Sequence, residues 1–161
     1  MVTSAQSKHG GAKVRFPPPL VFLCLFGAGL ALERWVGPLT LPLAFWPRVL
    51  IGASTALGGL ALAMAARAWF KRTGQDPVPW RPSPELLVKG IYRRTRNPMY
   101  IGMTLLQLGL GISLGNGWIA ALSPVGLVIV HFLAVLPEEA YLTEKFGESY
   151  LRYKDAVRRY L

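Results

Sequence analysis

A single cysteine, Cys24, stands in this 161-residue chain, inside an apolar run. That excludes a disulfide framework and a thiolate metal centre. The two histidines, His9 and His131, lie far apart in the sequence, so no metal is expected as a partner. Charge is scarce as well. Only 16% of residues are charged, and 8 acids face 18 bases, for a net +10. The familiar soluble cofactor motifs are missing. "GLGISLG" (109–115) has glycines, but at the wrong spacing and with an apolar helical run before it instead of a strand. No phosphate loop, nucleophile elbow or HExxH occurs.

What is present is apolar. Hydrophobic residues make up 52% of the chain, more than one small soluble domain can hide in its interior. Basic and very hydrophobic together point to a bilayer, and away from nucleic acid as a partner. Four stretches suit membrane spans: about 20–36, 49–70, 99–114 and 118–136. Crossing the hydrocarbon takes about 20 helical residues, so the third is short. It is expected as half of a hairpin with the fourth, because only Gly115, Asn116 and Gly117 separate them. Small residues line the second and third spans, among them Gly52, Gly58, Gly59, Gly102 and Gly109. In membranes such residues let helix backbones approach closely. The expected fold is all-α and integral to the membrane, with four transmembrane helices. A single domain covers 16–161, after a flexible tail over 1–15.

Basic residues fix the expected orientation. Fifteen fall in the amino tail, the loop between spans two and three, and the carboxyl tail, against Arg34 and Arg48 on the other side. Both termini are therefore expected on the cytoplasmic face. The start also resembles a signal peptide, with basic residues before a thirteen-residue apolar core. Three consecutive prolines (17–19) and the lack of a small-x-small cleavage site favour a retained span instead.

Three polar elements fall on that face. In "RRTRNPMYIG" (93–102), Asn97 and Pro98 suit the N-cap and first position of span three, and the arginines suit headgroup anchors. In "LPEEAYL" (136–142), Pro137 is expected to end or kink span four. Glu138 and Glu139 then occupy a first helical turn, where negative charge is favourable. Two adjacent acids at a membrane boundary also call for a cationic partner. His131, six residues earlier, suits a polar contact between helices. In "FGESYLRYKDAVRRYL" (146–161), Tyr150, Tyr153, Val157 and Tyr160 recur at helical spacing. That pattern predicts a cytoplasmic amphipathic helix along the interface, within an interfacial region over 137–161.

The order of "GIYRRTRNPMYIG", a short hairpin, "PEEAYL" and "FGESYLRYKDAVRRY" resembles the isoprenylcysteine carboxyl methyltransferase and phospholipid methyltransferase family. The likeness covers Leu87 to Tyr160, with a matching four-span pattern over the rest. It implies a membrane methyltransferase that uses S-adenosylmethionine on a lipid-like, lipidated or amphipathic acceptor, with membrane lipids as partners and a cytoplasmic active site. Carried onto this chain, the cofactor positions are Gly90, Tyr92, Arg96, Asn97, Pro98, Tyr100, His131, Glu138, Glu139, Tyr150 and Tyr153. Arg96, Glu138 and Glu139 are the candidate catalytic residues, and the glutamates would meet the donor's ammonium or neighbouring ligand groups. Many members have histidine at the place of Asn97 and proline at that of Ala140. "LGG" (57–59) keeps only part of a glycine-x-glycine found in the phospholipid enzymes. Two other classes fit some of these features: a sterol-reductase-like oxidoreductase using NADPH, and a non-catalytic lipid-binding protein.

Overall fold

A computed structural model describes residues 12, 14, 16–74 and 85–160. Among the described residues there is no strand. The helices are α1 (Pro18–Trp35), α2 (Phe45–Arg72), α3 (Pro98–Leu114), α4 (Gly117–Val130), α5 (Leu136–Phe146) and α6 (Glu148–Ala156). A 3-10 turn (Gly90–Arg93) precedes α3, and a π-helical turn (His131–Val135) joins α4 to α5. Most of the tail over 1–15 and the loop 75–84, with Arg81, lie outside the described residues. Ala12 and Val14 are described, and both are buried against α1, α3 and α5 residues.

Among the described residues three stretches are long and apolar enough to cross a membrane: α1, α2 and the run Gly117–Phe146. α3 is apolar but shorter, at 17 residues. The helices stand in the order α2, α3, α4, α1, each packed on the next. Large apolar side chains point outward along them, including Leu23, Leu57, Met64, Val128 and Phe132. A surface so apolar belongs in lipid.

α2 starts four residues before the expected span because Pro47 is tolerated in a first turn. At 28 residues it is about 42 Å long, beyond the hydrocarbon thickness. Its last turn therefore carries Lys71 and Arg72 into the interface. The α2–α3 contact is made of glycine. A Cβ on Gly109 would lie 2.3 Å from the Ala56 backbone nitrogen, and one on Gly59 would lie 2.5 Å from that of Leu106. Gly58, by contrast, faces open space.

The α3–α4 hairpin forms as the sequence suggests. Gly115 ends α3 with φ +74°, the left-handed cap that glycine adopts without strain. The Asn116 carboxamide accepts the Ile119 N–H at 2.9 Å and donates to Glu33 of α1, which ties the hairpin to α1.

Pro137 does not end the fourth span. It lacks an N–H for the carbonyl four residues back and would crowd that carbonyl. Immediately before it the helix widens into the π turn, a known way of absorbing such a mismatch, and the chain stays helical to Phe146. The closing helix also differs from expectation. α6 stops at Ala156, and Val157 is extended (φ −128°, ψ 130°), so Val157 and Tyr160 do not continue its face. Tyr150 is 1% exposed and therefore lies in the protein interior, away from the headgroups.

Candidate functional site

At one end of the bundle, the stretch before α3, the start of α5 and the C-terminal tail converge. The tail is held by backbone groups. The Arg96 N–H donates to the Arg158 carbonyl at 3.0 Å. The Thr95 hydroxyl (3.1 Å) and the Asn97 carboxamide (3.0 Å) both donate to the Arg159 carbonyl. Asn97 thus occupies the N-cap position of α3 without capping through its side chain. Its amide nitrogen donates to the tail instead and so joins the start of α3 to the C-terminal segment.

This docking delivers Arg159 to Glu139. The guanidinium Nε and Nη2 each donate to one carboxylate oxygen at 2.9 Å, the bidentate geometry that makes such pairs strong. Arg96 approaches the same carboxylate to 3.1 Å, with its side chain only 9% exposed. Arg96 Nη1 is the atom that meets Glu139, as an ion pair outside hydrogen-bond geometry, whereas Nε has no partner. Buried donors without partners cost about 1–3 kcal/mol or more, and they mark where an acceptor belongs. Glu138 accepts the Tyr100 hydroxyl at 2.5 Å. His131 Nδ1 shares a hydrogen bond with the Tyr160 hydroxyl at 2.9 Å.

Aromatic rings surround the pair of acids. The Tyr153 hydroxyl donates to the Tyr92 carbonyl at 2.7 Å, and its ring lies 6.1 Å from that of Tyr150. Burial, then the neighbouring Tyr150, pushes the Tyr153 phenol above its usual range. Burial does the same to Tyr92 and Tyr150. These phenols stay protonated at neutral pH and act as donors, not bases. The Glu139 hydrogen bonds hold the Arg159 guanidinium above its already high value. Tyr153→Phe is expected to destabilise the fold by about 1 kcal/mol through loss of one hydrogen bond, read as a lower melting temperature.

Of the positions singled out in the sequence, Arg96, Asn97, Tyr100, Glu138 and Glu139 come together here with Tyr92, Tyr150 and Tyr153. His131 joins through Tyr160. Pro98 is buried at the start of α3. Gly90 turns away: with φ +61° it backs onto Trp69, whose ring a Cβ would meet at 2.0 Å. Its part is to shape the turn. Sequence reasoning missed Arg159 and Thr95. The paired acids called for a cation, but nothing in the spacing marked one 20 residues on, past the end of a helix.

Fold and site together define an integral membrane protein with a buried, charged cluster at one end of its helices. The profile of the phospholipid methyltransferase family matches residues 47–149, well over half of the chain, and the chain belongs to that family. An uncharacterized protein of Haemophilus influenzae is 35% identical over 65 residues, covering 39% of this chain and all of that protein. A protein-S-isoprenylcysteine O-methyltransferase of Schizosaccharomyces pombe is 38% identical over 74 residues, covering 45% of this chain and 30% of that enzyme's length.

Proposed function

We propose that this protein is a methyltransferase that takes its methyl group from S-adenosylmethionine. It passes the group to a lipid-like or amphipathic acceptor that approaches through the bilayer. In this reading α3 is a fourth span, both termini are cytoplasmic, and the site opens at the cytoplasmic face, where fifteen of the basic residues fall.

The observation that carries the reading is Arg96. Its guanidinium is buried, with Nη1 ion-paired to Glu139 and Nε unpartnered. The donor has a carboxylate, an ammonium and a sulfonium, so it needs both signs of charge at one depth. Arg96 suits the carboxylate. Glu138, held by the Tyr100 hydroxyl, suits the ammonium. Glu139 is taken by two arginines and serves as the group that positions them. Tyr92, Tyr150 and Tyr153 offer aromatic surface and hydroxyl donors next to these charges.

When bound, the donor supplies an electrophilic methyl group, and in-line displacement demands positioning more than proton transfer. The two ion pairs and the Tyr100–Glu138 bond do that positioning from three segments distant in sequence. Calorimetry on the detergent-solubilised chain should show one saturable site for S-adenosylhomocysteine. Arg96→Ala should weaken that binding by at least about 100-fold, as loss of a charge-assisted bidentate contact implies. Equal affinity in wild type and variant would remove the donor from this place.

A further inference from the structure

We propose that a second cleft, beside the cluster just described, binds the phosphate headgroup of an anionic membrane lipid. The cleft has a volume of about 440 Å³ and lies between the turn before α3 and the C-terminal tail. Arg93 and Arg94 line it from one side and Arg158 from the other. Its floor includes Leu62 of α2 and Ile101 of α3, so it runs onto the apolar walls of the bundle.

Four observations favour this ligand. First, Arg93, Arg94 and Arg158 are exposed, and none is ion-paired among the described residues. Three arginines lining one cleft call for an anion, and the planar guanidinium fork matches phosphate oxygens. Secondly, both sides of the cleft are fixed. Gly90 seats the turn on Trp69, and the Arg96 N–H holds the Arg158 carbonyl at 3.0 Å. A charge bias that only sets topology needs no such convergence of residues so far apart in sequence. Thirdly, the volume suits a small-molecule headgroup, while Leu62 and Ile101 give the cleft an apolar floor, against which the first carbons of a lipid can lie. Free phosphate would leave that floor unused. Fourthly, adjacent arginines divide the work: Arg96 turns to Glu139 and does not line the cleft, whereas Arg93 and Arg94 line it and make no contact with Glu139. The inference does not depend on the donor reading.

Native mass spectrometry of the full chain released from detergent, with added phosphatidylglycerol or phosphatidylcholine, tests it. One phosphatidylglycerol should be retained in preference to phosphatidylcholine. Substituting Arg93→Gln, Arg94→Gln and Arg158→Gln together should weaken that retention on the order of 100-fold, since each basic group near an anionic headgroup contributes severalfold. Arg152→Gln with Lys154→Gln, outside the cleft, should leave it unchanged. In the wild-type chain, a photoreactive phosphatidylglycerol labelled at its headgroup should mark residues 91–101 and 156–160. Equal retention of both lipids, retention that survives the triple substitution, displacement by inorganic phosphate at matching concentration, or labels spread evenly over α1 and α4 would each overturn the proposal. S-adenosylhomocysteine binding by the triple variant is expected to match wild type, so failure here and failure of the donor reading give different results.

Discussion

Glu139→Gln is expected to be the most damaging polar substitution in this protein. The variant keeps the shape of the side chain and removes the charge that two guanidinium groups share. Arg159 then loses a bidentate partner, and Arg96, only 9% exposed, is left without a counter-ion. Removing one member of a buried pair costs about 3–5 kcal/mol, because the other charge stays buried and unpaired. Arg159→Gln should cost much less. Its side chain is 34% exposed, and Glu139 would still face Arg96. Combining the two changes should therefore fall well short of the sum of the single effects, as expected for residues in one network. Thermal unfolding in detergent measures all three. Additive losses, or a Glu139→Gln variant as stable as wild type, would show that the cluster is not a closed ion-paired unit. Donor-analogue binding should fall in parallel, since a free Arg96 side chain no longer holds its direction.

Much of this arrangement could be read from the chain, and the part that could not has physical causes. Spans one and two were legible because long apolar runs have few alternatives in water or lipid. The hairpin was legible because only three residues separate the two apolar runs, and in the structure Gly115 and Asn116 close the helix ends there. Charge called for a cation beside the two acids, and the family resemblance singled out Arg96, which meets Glu139. Pro137 was harder. A proline forbids one hydrogen bond but does not dictate what the helix does instead, and here it widens and continues.

The tail was the least legible element. Tyr150, Tyr153, Val157 and Tyr160 have helical spacing, yet the helix ends at Ala156. The carbonyls of Arg158 and Arg159 are claimed by donors from residues 95–97. Tertiary hydrogen bonds to groups more than 60 positions away outcompete a short helix whose own stability is marginal. That same choice brings Arg159 to Glu139, so the feature hidden from periodicity is the one that completes the cluster.

The glycines of α2 and α3 give the other large expected effect, and its sign reverses between neighbouring positions. Gly109→Ala should strongly destabilise the bundle. The added Cβ would meet the Ala56 nitrogen at 2.3 Å and the Gly52 carbonyl oxygen at 2.5 Å. Both are backbone atoms that cannot rotate away, so the helices must separate. Overpacking of this kind costs about 1–3 kcal/mol or more. In lipid, where close packing is what holds helices together, separation removes much of the contact. Gly59→Ala should behave alike, because its Cβ would lie 2.5 Å from the Leu106 nitrogen. Gly58→Ala has nothing within 4 Å. There the methyl group only restricts the unfolded backbone, a gain of about 0.5–1 kcal/mol in a helix interior. Unfolding by a denaturing detergent in mixed micelles should place Gly109→Ala and Gly59→Ala below wild type and Gly58→Ala at or above it. The two destabilised variants should also lose donor-analogue affinity, because α3 carries Tyr100 and begins two residues after Arg96. If all three substitutions moved stability in the same direction, the glycine contact between α2 and α3 would not be what holds the bundle together.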